Sequence, residues 1–250
     1  LICEAYQFMK DVLHMEQGEM AKVFEDWNKQ ELDSFLIEIT RDILNFKDTD
    51  NKYLLPKIRD AAGQKGTGKW TSIAALDYGV PVTLIGEAVF ARCLSALKDE
   101  RIKASKVLPD ASTKFIGDKS EFLDHLRKAL YASKIISYAQ GFMLLREAAK
   151  ANKWNLNYGS IALMWRGGCI IRSVFLGNIK EAYMKNPTLS NLLLDPFFSE
   201  SMRSSIGSLR QAVSAAVLTG VPTPAFSAAV AFYDAYRSDV LPANLLQAQR

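Results

Sequence analysis

The stretch from Asp118 to about Asn152 constrains this chain more than any other. Asp118 followed three residues later by Glu121 is a capping-box-like helix start. Between Leu130 and Leu145 the segment is apolar on nearly every side, through Tyr131, Ile135, Ile136, Tyr138, Phe142, Met143 and Leu144. A helix with no polar face is buried by its neighbours. At 1.5 Å per residue it would be about 50 Å long, so the rest of the chain has to pack around it. The remaining periodicity is also helical. Glu31 to Phe46 puts Leu32, Phe35, Leu36, Ile39, Ile43 and Leu44 on one face. Trp70 to Tyr78 reads as a short helix stopped by Gly79, and Pro81 opens another running to about Lys106. A further helix is expected from about Tyr158 to Tyr183, before Asn186-Pro187. Two more flank Gly220-Val221-Pro222. No alternating run bounded by hairpin turns occurs, so the expected class is all-α without a sheet.

An internal repeat lies within these helices. Gly79-Val80-Pro81 recurs as Gly220-Val221-Pro222; at the same offset Ala74-Ala75 matches Ala215-Ala216, and Ala88-Val89 matches Ala229-Val230. Upstream, Leu32-Asp33-Ser34-Phe35-Leu36 resembles Leu189-Ser190-Asn191-Leu192-Leu193 with a different offset. This is the pattern of a duplicated multi-helix unit rather than a short solenoid period. The repeat bears on Gln211 to Tyr233, which carries no charge and is long enough to cross a bilayer. Gly220 and Pro222 at its centre stop one helix and start the next. The first copy carries Asp77 and Glu87 where the second is uncharged. Two buried helices are expected here, and no membrane partner.

With 49% hydrophobic and 23% charged residues the chain can offset its ordering entropy, which excludes a mainly disordered state. The 250 residues suffice for a large core without disulfide or metal staples. A net charge of +4 gives no reason to expect a nucleic-acid partner. Cys3, Cys93 and Cys169 are widely spaced, which fits a reducing compartment, and their apolar contexts suggest small buried side chains. His14 and His125 are single helical residues without a recognisable catalytic partner, and two histidines exclude a His-rich metal site. Helical spacing begins at Leu1 without a capping residue or signal-peptide pattern, and Gln247-Ala248-Gln249-Arg250 lacks a Gly stop. Both ends read as cuts from a longer chain.

The chemistry concentrates in Gly63-Gln64-Lys65-Gly66-Thr67-Gly68-Lys69-Trp70. Three glycines let the backbone turn tightly and approach a ligand. The following helix start offers free N–H groups and a positive dipole end, and Lys65, Thr67 and Lys69 add cationic and hydroxyl donors. These suit an oxyanion or phosphate. The spacing nearly spells a P-loop, but Trp70 stands where a Mg²⁺-binding hydroxyl is required and no strand precedes it. A phosphorylated metabolite therefore fits better than a nucleoside triphosphate on magnesium. Arg92, in the apolar helix after Pro81, either reaches the surface or is held by an anion. Trp165-Arg166-Gly167-Gly168-Cys169-Ile170-Ile171-Arg172 places two arginines and a Gly pair in what reads as a buried helix. They either line a polar cleft or, the favoured reading, pair with acids at a helix–helix or subunit contact.

The run Ile58-Arg59-Asp60-Ala61-Ala62-Gly63-Gln64-Lys65-Gly66-Thr67-Gly68-Lys69-Trp70 closely resembles the signature of the 6-phosphogluconate dehydrogenases, and Leu76–Glu100 and Trp165–Ser173 resemble the same family. The likeness covers essentially all of residues 1–250 and is nearest the cytosolic animal type. It implies a helical substrate-binding and dimerisation domain containing a duplicated unit, with an N-terminal Rossmann domain for NADP and a C-terminal tail outside this chain. The implied reaction is NADP-dependent oxidative decarboxylation of 6-phosphogluconate to ribulose 5-phosphate, in the cytoplasmic pentose phosphate pathway, without a metal. The family's general base and acid, a Lys and a Glu, belong to a motif preceding Leu1, so no catalytic residue is carried over. By the family pattern Lys65, Thr67 and Arg92 bind the substrate phosphate, and Arg250 reaches it from the partner subunit of a homodimer. A family tail His that follows has no counterpart here. The competing reading is a helical dimerisation or interaction module without activity of its own.

Overall fold

A computed structural model describes residues 1–250. Twelve α-helices and two short 3-10 turns are joined by loops, and β-pairing is confined to two isolated bridges, Ser34 with Ser173 and Lys47 with Tyr53. The long helix is α7, Lys119–Asn152, with α1 (Ile2–Asp11), α2 (Gln17–Trp27), α3 (Phe35–Asn45), α4 (Thr67–Asp77), α5 (Thr83–Ala96) and α6 (Lys98–Ala104) before it. After it come α8 (Tyr158–Met164), α9 (Leu176–Lys185), α10 (Pro196–Leu218), α11 (Pro224–Tyr236) and α12 (Ala243–Ala248). The Asp118 carboxylate accepts the Glu121 N–H at 2.8 Å and so caps α7. Leu126, Ala129, Ala132, Ile135, Ile136 and Ala139 of α7 are almost wholly buried, in one continuous core shared with α1, α2, α9, α10 and α11. The closest partner of α7 is α10, whose Met202, Leu209, Ala212 and Ala216 face inward. No helix is long and apolar enough to cross a membrane, because α10 ends at Leu218 and α11 restarts at Pro224.

The repeat has a structural counterpart. Gly79 and Gly220 both take the left-handed conformation, with φ of +66° and +73°. Each lets the next residue bond back into the helix it ends: Val80 N–H donates to Ala75 O at 2.7 Å, and Val221 N–H to Ala216 O at 2.9 Å. Each turn leads into a second helix, α5 or α11, and these two pack on one another. Their starts are capped by buried polar side chains from elsewhere. Leu84 N–H donates to Gln140 Oε1 at 3.0 Å, while Ala225 and Phe226 N–H donate to the Glu4 carboxylate at 2.7 and 2.9 Å. Leu84 and Ala225 are equivalent positions in the repeat.

Four expectations need correction. The helix expected from Tyr158 to Tyr183 is two helices separated by an irregular segment. Gly168, at φ +67°, cannot continue a right-handed helix, and Ser173 pairs with Ser34 instead. The helix expected from Pro81 to Lys106 breaks at Leu97 (ψ 42°), which divides α5 from α6. The cysteines are not small core residues: Cys3 and Cys93 are exposed and Cys169 is half-buried. His14 also lies past the end of α1 in a left-handed turn (φ 51°), whereas His125 is satisfied by Ser208 Oγ at 3.1 Å.

Candidate functional site

The Gly-rich loop lies along one face of α5. At its root, Asp60 is gripped by α6: Lys98 pairs with its carboxylate, and Arg101 donates to its carbonyl at 2.8 Å and reaches its carboxylate at 3.4 Å. The Lys98 hydrogen bond is the main cause holding the Asp60 carboxyl below the ordinary aspartate range. Two residues on, the Ala62 N–H donates to Ser95 Oγ at 3.0 Å, and that hydroxyl lies 3.1 Å from Ala62 O and 2.7 Å from Arg92 O. At the far end Gly68 presses on α5 so closely that a Cβ there would lie 2.7 Å from Val89 Cγ2. Val89, Arg92 and Ser95 are three apart and share a helix face. The loop is thus pinned on either side of Arg92.

Chain length dictates what happens between the pins. Six residues of helix advance about 9 Å. Six residues of extended chain reach about 20 Å. The slack leaves residues 63–67 as an arch between these two contacts, which flank Arg92 on α5. Lys65 and Thr67 belong to the arch, and both they and Arg92 are exposed. Thr67 opens α4 after Gly66, which supplies no side-chain cap, so the first N–H groups of α4 lack intrahelical acceptors. Asp60, the acid nearest this stretch in the sequence, is already occupied by Lys98 and Arg101. The arrangement offers an ammonium, a hydroxyl, a guanidinium and a helix start to an oxyanion. It is an open surface: hollows of about 380 Å³ beside Tyr158 and Tyr183, and about 440 Å³ beside Phe115 and His125, lie elsewhere.

Three of the four sequence-predicted positions, Lys65, Thr67 and Arg92, lie on the two segments that these contacts hold side by side. Arg250 does not. It follows α12, no residue of which is buried, and is itself exposed.

The model of the 6-phosphogluconate dehydrogenase C-terminal domain matches residues 1–250. The chain belongs to that family. It is 69% identical over 251 residues to the decarboxylating 6-phosphogluconate dehydrogenase of Homo sapiens, covering all of this chain and 52% of the relative. The corresponding protein of Ceratitis capitata is also 69% identical, over 252 residues, with the same coverage. Among solved structures, the Plasmodium falciparum 6-phosphogluconate dehydrogenase superposes with a TM-score of 0.96 at 44% identity, over all of this chain and 54% of that one. That protein is described in its apo form, with NADP+ and with 6-phosphogluconate. The chain spans about half the length of the curated relatives it matches.

The segment between α8 and α9 carries the second motif. Arg172 pairs with Glu38, and lies 3.9 Å from Asp33, so it serves a contact with α3 and its approach as the favoured structural reading has it, whereas Arg166 is exposed and makes no ion pair. Phe35 N–H donates to Arg172 O, and Val174 N–H to Asp33 O, both at 3.1 Å. Lys134 of α7 hydrogen-bonds Ser173 Oγ and lies over the Phe175 ring at 4.9 Å. Sequence reasoning missed Lys134, Ser95 and Arg101. The only available signal for Ser95 was a polar residue in an otherwise apolar stretch, and Arg101, inside the charged run Lys98–Lys103, offered none.

Proposed function

We propose that this chain is the substrate-binding and dimer-forming half of a decarboxylating 6-phosphogluconate dehydrogenase. The enzyme would convert 6-phosphogluconate to ribulose 5-phosphate and CO₂ with reduction of NADP, in the cytoplasm and in the pentose phosphate pathway. The observation that carries the reading is the loop bearing Lys65 and Thr67, pinned on α5 at Ala62 and Gly68 on either side of Arg92, in a chain matched along its whole length by the family model. A phosphate dianion leaving water needs several strong donors, each charge-assisted bond being worth about 1.5–3 kcal/mol. The phosphate lies remote from the reacting carbons. Holding it orients the sugar-acid chain, so binding energy is spent on geometry where the chemistry occurs.

The cofactor belongs elsewhere in this reading. NADP, when bound, accepts the hydride. This chain has no strand leading into a Gly-x-Gly-x-x-Gly turn, so its residues do not by themselves fit a dinucleotide site. The homodimer is supported by exposed apolar side chains on α4 and α5, with Leu76 83%, Trp70 67% and Phe90 66% exposed. Arg250 would enter the partner's site.

The test is Lys65→Ala in the full-length enzyme. It should weaken 6-phosphogluconate binding by about 2–3 kcal/mol, or about 30–150-fold, with little change in melting temperature. A sharp fall in melting temperature with unchanged affinity would make Lys65 structural and remove the cradle.

A further inference from the structure

The arch works as a binding site only if the loop keeps its register on α5. Residues 59–66 form no helix or strand, and Gly63 and Gly66 add conformational freedom. Fixing one such residue costs about 1–2 kcal/mol of entropy, so the contacts that hold the loop decide how far the site is preorganised. On the Gly68 side the restraint is steric, against Val89. On the other side the last restraint before the arch is the Ser95 hydroxyl.

We infer that Ser95 is a positioning residue for the anion site, coupling the loop backbone at Ala62 directly to the helix turn that carries Arg92. Its Oγ accepts the Ala62 N–H at 3.0 Å, and its single proton serves Arg92 O at 2.7 Å or Ala62 O at 3.1 Å. One small side chain thus joins both walls of the site. Arg101 braces it from behind, donating to Ser95 O at 3.0 Å and to Asp60 O at 2.8 Å. The Arg101 Nε is buried without a partner, so this guanidinium is held for the contacts of its terminal nitrogens. Ser95 does not contact the ligand in this arrangement. It fixes the distance between Lys65 and Thr67 on one side and Arg92 on the other. Removing its hydroxyl frees the loop at Ala62 and leaves the helix intact, since Ala is the better helix former.

The inference rests on the reading of the loop as a phosphate cradle, and the experiment separates the two. In the full-length enzyme, KM and kcat for 6-phosphogluconate and competitive inhibition by inorganic phosphate are measured for Ser95→Ala, Ser95→Thr and Lys65→Ala. Ser95→Ala should raise KM and the phosphate inhibition constant roughly five- to tenfold, the loss of one or two neutral hydrogen bonds, with kcat within about twofold. Ser95→Thr keeps the hydroxyl and should recover most of the loss. If Lys65→Ala impairs binding but Ser95→Ala does not, the positioning role is overturned and the cradle stands. If Ser95→Ala lowers kcat and melting temperature together with affinity and Thr restores nothing, Ser95 is merely structural and the inference is again overturned. If Lys65→Ala is itself without effect, the cradle is wrong and the inference falls with it.

Discussion

An ideal Cβ at Gly68 would lie 2.7 Å from Val89 Cγ2, a separation that side-chain carbons do not tolerate. Val89 is β-branched and cannot swing aside cheaply. Gly68→Ala should therefore push the start of α4 away from α5 and widen the arch. We expect KM for 6-phosphogluconate in the full-length enzyme to rise about tenfold, and Val89→Ala in the same chain to restore most of it, because contacting sites couple. Equal KM values for wild type and Gly68→Ala would show that the close approach is dispensable. Lys134 gives a second residue-scale test. Burial lowers its pKa from 10.5 to about 8, opposed in part by Asp33. Below about pH 8 both folded and unfolded chains hold the proton, and the cost of burying the ammonium is present in full. From about pH 8 to 10.5 the unfolded chain holds more proton, so this site's contribution to stability rises with pH. Lys134→Met should match or exceed wild type at pH 7, by up to about 1–3 kcal/mol in denaturant unfolding, and lose that advantage by about pH 10. A variant less stable at pH 7 by a margin that shrinks as the lysine loses its proton at high pH would show the ammonium to be net stabilising. These cases mark what was legible at this scale. Lys65 and Thr67 could be named as anion donors from glycine spacing and a following helix, whereas Arg92 was left open by its own context and came in only with the family resemblance. Ser95 and Lys134 could not be named, since their importance comes from partners 33 and 39 residues away.

Among the elements, what could be read depended on whether the stop signal was local. Gly-Val-Pro announces a left-handed glycine and a new helix, and both copies fold that way. The all-α class and the long central helix were equally legible, because their periodicity extends over many turns. The Gly167-Gly168 pair carried a comparable signal but sat among apolar residues that keep helical spacing. What decides against a helix is remote: backbone pairing of Arg172 and Val174 with Phe35 and Asp33. The two Gly-Val-Pro turns also differ in a measurable way. Either Gly→Ala change incurs the left-handed backbone cost, about 1–2 kcal/mol. At Gly79 a Cβ meets nothing within 4 Å, whereas at Gly220 it meets Ser112 Cβ at 3.1 Å. Gly220→Ala should thus be the more destabilising, since the loop bonded to Leu218 O through Thr113 must also shift. Equal thermal unfolding shifts for the two variants would refute the added contact.

On the scale of the whole molecule, the role proposed for Arg250 is the one that needs a second subunit. It is exposed beyond a helix with no buried residue, while Lys65, Thr67 and Arg92 are open to solvent. If Arg250 completes the partner's cradle, the full-length enzyme has composite sites, and assembly and substrate binding favour each other. Complementation between two crippled subunits tests this. Arg250→Ala and Lys65→Ala homodimers should each be impaired at both sites. In a mixed dimer one site collects both lesions, and the other has wild-type residues at both positions. Under subunit exchange, random pairing makes about half the dimers mixed, so activity should recover towards about a quarter of wild type. If Arg250 acts within its own subunit, every site keeps one lesion and mixing restores nothing. That result would separate Arg250 from the partner's site while leaving Lys65, Thr67 and Arg92 in place.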